Sequence, residues 1–173
     1  MQATCLLATL VLAGAACGAG VGPELPSELE VGSAEASGDG FIEVIDGMDV
    51  ELVPGAQGGF HVWLNLRVFA AQGELYVKRE ARRVRDDALI LRGQEQVIEV
   101  PAAAMEDWWE SPYAAPAFMC PSPIGLAVFD EEIRYSVILT DLDGGVLAED
   151  EVVLTPRCPE GDQAAFCAEI CAG

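Results

Sequence analysis

VELVPGAQGGFHVWLNLRVFA, running from Val50 to Ala70, is the stretch on which the fold turns. Phe60, Val62, Leu64, Leu66 and Val68 recur every second residue, and His61, Trp63, Asn65, Arg67 and Phe69 fill the alternate places. A period of two puts successive side chains on opposite faces, so this is a long β-strand with one buried and one mixed face. Before it, Pro54-Gly55-Ala56-Gln57-Gly58-Gly59 has the backbone freedom for a reversal, and Met48–Val53 reads as a short strand entering that turn.

Further short strands flank this one. Phe41–Ile45 precedes an Asp46-Gly47 turn, and Ala71-Gln72-Gly73 turns into Glu74–Val84. Ala88–Leu91 and Gln96–Val100 read as two strands joined by a hairpin loop at Arg92–Glu95. Ala102–Glu110 has room for a helical turn or two, while Pro112, Pro116, Pro121 and Pro123 forbid a long helix. Ile124–Phe129 adds a candidate strand. Ile133, Tyr135, Val137 and Leu139 then alternate with polar neighbours, Asp141–Gly145 makes a turn, and Val146–Thr155 returns. Many short strands with regular turn signals predict an all-β, antiparallel β-sandwich over residues 41–158. Tyr135, two residues before Val137, stands where an immunoglobulin-like sandwich keeps its corner tyrosine, with Val137 in place of the cysteine.

The ends of the chain read differently. Residues 1–16 carry no charged side chain, and Leu6–Leu12 is an apolar run too short to span a bilayer, as in an export signal. Leu12-Ala13-Gly14-Ala15-Ala16-Cys17 resembles a bacterial lipobox, which implies that Cys17 is acylated as the first mature residue. Gly14 departs from the usual Leu, so cleavage by the ordinary signal peptidase and a secreted product is the alternative. Gly18–Gly40, poor in large apolar residues, predicts a disordered tether over residues 17–40. Cys120, Cys158, Cys167 and Cys171 form an even set suited to two disulfides in an oxidising compartment. Cys167 and Cys171 lie in an Ala-rich stretch with helical potential, where cysteines one turn apart fit disulfide geometry poorly. The expected pairing therefore joins Cys120 and Cys158 each to one of Cys167 and Cys171, fastening the tail, residues 159–173, to the sandwich.

The chain has 173 residues with 29 Asp and Glu against 9 Lys and Arg, a formal charge of -20. Such a surface repels nucleic acid and anionic lipid and keeps an exported domain soluble. His61 is the only histidine. Ser111, Ser122 and Ser136 are the serines weighed as its nucleophilic partners, and none stands in a nucleophile-elbow motif, so no catalytic residue is assigned. One histidine also rules out sites needing two, and the four cysteines lack zinc-ribbon spacing, so no metal and no cofactor is expected. Asp141-Leu142-Asp143-Gly144-Gly145 concentrates carboxylates but fails the calcium-loop pattern at Gly145, Val146 and Val152. Lys78, Arg79, Arg82, Arg83 and Arg85 form a basic run whose expected role is internal charge balancing. Trp108, Trp109 and Tyr113 read either as a plug at the end of the sandwich or as a surface for glycan or peptide.

Cys17, the acidic Gly-rich segment after it, the stretch Gly55-Ala56-Gln57-Gly58-Gly59-Phe60-His61-Val62-Trp63 and the Asp-Gly hairpin ending at Pro156-Arg157-Cys158 together resemble lipoproteins of myxobacterial type. The resemblance covers roughly Cys17 to Cys158. It implies an envelope location and a β-sandwich and transfers no functional residue. The expected function is that of a non-enzymatic, lipid-anchored structural or protein-interaction module of the bacterial envelope. The expected partners are the membrane, through the lipid, and an envelope protein or glycan.

Overall fold

The computed structural model describes residues 26–121 and 125–173. The export segment, Cys17 and the first part of the expected tether lie outside these residues. In chain order the described strands are β1 (Glu28–Ser33), β2 (Ile42–Glu43), β3 (Met48–Glu51), β4 (Val53–Pro54), β5 (Phe60–Phe69), β6 (Gly73–Arg83), β7 (Leu89–Val100), β8 (Trp109–Glu110), β9 (Ala115–Cys120), β10 (Ile133–Thr140) and β11 (Val146–Arg157). A 3-10 turn at Ala102–Met105 stands where a helical turn was expected, and α1 (Ala164–Cys171) closes the chain.

Strand β5 is central to its sheet because both of its edges are used. β1 pairs with Leu64 through Phe69 and β4 with Phe60 and His61. β9 also takes Phe60 and Leu64, and β8 takes Arg67 and Val68, so these two must lie along the opposite edge. β2 extends the sheet beyond β1. The second sheet runs β3-β11-β10-β6-β7, antiparallel except for the parallel pair β3–β11. With β1, β5 and β9 in one sheet and β11, β10, β6 and β7 in the other, this is an immunoglobulin-like sandwich.

The two inner faces meet as the period-two pattern requires. Phe60, Val62, Leu64, Leu66 and Val68 are all buried, and so are Leu75 and Val77 on β6 and Ile133, Tyr135, Val137 and Leu139 on β10. Each such side chain contributes roughly 1.5–3 kcal/mol by leaving water. The same face of β6 continues as Arg79, Ala81 and Arg83, which are buried too. Arg79 donates to Gln96 Oε1 at 3.0 Å and lies against the Tyr135 phenol, which burial pushes above its ordinary range.

Four expectations are corrected. The sandwich begins at Glu28, not near Phe41, so residues 28–40 are not a tether. Averaging over the segment hid the alternation of Leu29 and Val31, both buried in β1. β1 also finds backbone partners on β5 along its whole length, and its Val31 N–H donates to Asp150 Oδ2 on β11 at 2.7 Å. Second, β7 is one strand, with no hairpin loop at 92–95. Its polar middle pairs with β6 from Lys78 to Arg79, and an edge strand needs no apolar face there. Third, Met48–Val53 divides between the sheets at Leu52, wholly buried, whose N–H donates to the Arg157 carbonyl at 2.7 Å. Fourth, residues 125–129 are not a strand: the Val128 and Phe129 N–H groups both donate to the Cys171 carbonyl, at 2.9 and 3.1 Å. Of the expected strand Phe41–Ile45, β2 keeps only Ile42 and Glu43.

Candidate functional site

The outer face of β5 gathers most of the side chains that carry chemistry. At its middle stands Asn65, 4% exposed. Its amide donates to the Gly40 carbonyl at 2.7 Å and to the Ser111 carbonyl at 3.0 Å, and its Oδ1 accepts the Leu66 N–H at 2.8 Å. These bonds draw two segments across the strand, one before β2 and one after β8. The Ser111 N–H donates to the Leu66 carbonyl at 2.9 Å, and the Ala114 N–H reaches the Gly38 carbonyl at 3.4 Å. Buried backbone carbonyls thus find donors without a further strand.

Arg67 comes next along the face. Its guanidinium lies 4.7 Å from the Phe41 ring centroid and 4.9 Å from that of Trp108, and Nε donates to Glu30 Oε2 at 2.7 Å. Trp108 in turn lies 5.7 Å from the Phe69 ring. A cation held between two aromatic faces and closed by a carboxylate is a stable way to cover a sheet.

At the other end His61 and Trp63 meet edge to face, with ring centroids 4.4 Å apart. They border a cavity of about 660 Å³ together with Phe60, Pro116, Pro121 and the Gly55–Gly59 turn. Burial lowers the His61 pKa from its ordinary value. His61 Nε2 and Trp63 Nε1 are both covered and find no hydrogen-bonding partner among the described residues. Gly38 packs beside Trp63, and its φ of +86° is a backbone conformation that favours glycine there.

The expected site residues part company here. Trp108 lies on the outer face over Arg67, while Trp109 pairs with Val68 in β8 and packs against the core. Tyr113 is 80% exposed. The three neither form one platform nor jointly plug the sandwich; only Trp109 packs as a plug would. Between the half-buried Trp109 and the exposed Tyr113, four residues further on, the Ser111 Oγ donates to the Tyr113 carbonyl at 3.0 Å.

His61 gains no nucleophile from the serines weighed above. The Ser111 hydroxyl is committed to Tyr113, the Ser136 hydroxyl donates to the Glu80 carbonyl at 3.5 Å in the other sheet, and Ser122 lies outside the described residues. At the β10–β11 turn the Asp141 carboxylate accepts the Asp143 N–H at 2.9 Å and the Gly145 N–H at 2.7 Å, which is turn chemistry. The basic run is largely paired within the chain: Arg82 with Glu80 and Asp87, Arg83 with Asp86, and Arg85 with Glu131. Asp86 is held below its usual carboxylate range, first by the Arg83 hydrogen bond.

The cysteines pair from tail to body. Cys120 at the end of β9 joins Cys171, and Cys158 after β11 joins Cys167. They seat α1 on the end of the sandwich, where Phe166 lies 6.0 Å from Phe60. Asn65 is the residue that sequence reasoning missed: a polar residue amid strand periodicity reads as solvent-facing until the covering segments are known. No protein-family model matches this chain, and no curated protein matches it significantly.

Proposed function

We propose that this chain is an exported, lipid-anchored β-sandwich that serves the bacterial envelope as a non-catalytic structural or protein-interaction module, akin to lipoproteins of myxobacterial type. The observation that supports an extracytoplasmic site is the pairing of all four body cysteines at disulfide distance. Cys17 behind a short apolar run supplies the anchor in this reading. The glycan- or peptide-binding alternative rests on Tyr113, since Trp108 and Trp109 are engaged within the fold.

Membrane fractionation tests the anchor. The native chain is expected in the membrane fraction with an acylated Cys17 by mass spectrometry, and Cys17→Ala is expected in the soluble fraction. Acyl chains contribute about 0.8 kcal/mol per buried CH₂, and more than one chain is needed for stable attachment. A soluble native protein with an unmodified mature terminus would refute the anchor and leave a secreted domain.

A further inference from the structure

The outer face of the second sheet divides into two halves of different character. Leu75 and Val77 of β6 are buried in the core, so Tyr76 and Lys78 point outward, and the register carries that face across the neighbouring strands. Val97, Tyr76, Thr140 and Val146 form one rung across β7, β6, β10 and β11. Glu95, Lys78, Ile138 and Glu149 form the next. Val97, Leu142 and Val146 are each half exposed or more, and Tyr76 is exposed beside them. Tyr76, Ile138, Leu142 and Val146 line an open groove of about 530 Å³. Apolar side chains scattered singly over a surface are ordinary, but several gathered around one groove within a polar rim mark an interaction surface.

The charges around this groove are unbalanced. At the other end of the same face Arg82 pairs with Glu80 and Asp87, and Arg134 reaches Asp87 and Glu151. Around the groove Glu74, Glu95, Glu99, Asp143 and Glu149 are exposed and form no ion pair among the described residues. Glu74 stands directly opposite Glu99, a like-charge placement that weakens a sheet. Of the described residues that line the groove, Lys78 alone is basic.

A second copy of this chain would set carboxylates against carboxylates, with a formal charge of -20 on each side. An apolar floor inside a carboxylate rim is complementary to the opposite arrangement, an apolar side chain between cations. We propose that this groove docks a protein segment in which lysine or arginine flanks an apolar or aromatic side chain. The inference rests on the reading of the chain as a protein-interaction module and names the chemistry of its partner. The apolar side chain lies over Tyr76, Leu142 and Val146, and the flanking cations meet Glu74 and Glu99 on one side and Glu95, Asp143 and Glu149 on the other. Attraction across the rim speeds encounter, while the apolar centre holds the segment in place.

The test uses the oxidised full chain carrying Cys5→Ser and Cys17→Ser, and as probe a peptide that alternates lysine with phenylalanine and valine. In an NMR titration the peptide should shift the amide signals of Tyr76, Val97, Ile138 and Val146 and leave those of β1 and β5 in place. Val97→Lys and Val146→Lys should each weaken binding by about fivefold or more. Ile45→Lys makes the same charge change at an exposed apolar position outside the groove and should alter binding by about twofold at most. The spectra of the free variants, unchanged away from the substitution, guard against misfolding. Equal weakening by all three variants would reveal a general attraction to an acidic chain and overturn the proposal. Shifts confined to another face, equally tight binding of a glutamine analogue of the peptide, or no binding at all would do the same. So would a neutral oligosaccharide that shifts these amides in the peptide's place, or a dimer of the free chain that buries them. The titration needs neither lipid nor native partner, so its failure strikes this groove and leaves the anchor standing. A native chain found soluble on fractionation refutes the anchor and leaves the groove.

Discussion

Asn65 and His61 show how a single position on one strand face acquires its role from what crosses above it. Asn65 lies on the polar side of the alternation, yet it is buried because its amide bridges Gly40 and Ser111. Asn65→Ala removes three hydrogen bonds and leaves two carbonyls without a donor. It should destabilise the domain by about 2–4 kcal/mol, since each bond is worth about 1 kcal/mol and buried unsatisfied groups cost more. Urea unfolding reads this directly, and an unchanged midpoint would mean that the two covering segments are held without Asn65. His61 carries a pH signature. Its folded pKa is lowered, so the unfolded chain takes up a proton at a higher pH than the folded chain does. Stability therefore declines as pH falls through about 6.5 and levels off once the folded form also protonates. His61→Phe should remove that part of the slope of melting temperature against pH, and an identical slope in the variant would discard the assignment.

Among the elements, β1 matters most for where the domain starts. Its six residues all pair with β5, and its outer edge is tied to β11 by Asp150. A chain beginning at residue 41 lacks that strand and exposes one edge of β5 over Leu64–Phe69, together with the core side chains that Leu29 and Val31 cover. It should fail to unfold cooperatively, whereas a chain beginning at residue 26 should show a single sharp transition. Equal cooperativity in the two chains would return β1 to the status of a dispensable arm. The 12-residue strand β7 teaches a related lesson about edges. Its middle, Gly93 to Gln96, looks like a loop by composition, but pairing with β6 on one side satisfies its backbone while its polar side chains face water.

At the scale of the whole molecule the two cysteine pairs close loops of very different length, 51 residues for Cys120–Cys171 and 9 for Cys158–Cys167. In the chain-entropy account a longer loop restrains the unfolded state more, so replacing the first pair by serine should cost about 1.5 kcal/mol more than replacing the second. Denaturant titration of the two double-serine variants checks the order, and a reversed order would show that contacts around α1 outweigh loop entropy. The sequence by itself determined the central strand, the class of sandwich, the last hairpin and the tail-to-body direction of the cysteine pairs. It could do so because period-two alternation, Asp-Gly turns and the poor fit of a bridge between adjacent helical turns are local rules. Only the tertiary structure decided that Leu29 and Val31 form a strand, that Asn65 is buried, that Trp108 serves Arg67 while Trp109 serves the core, and that Cys120 takes Cys171 while Cys158 takes Cys167. Each of these depends on which segment is laid across which face, and that is set by contacts between residues far apart in the chain, which no local pattern records.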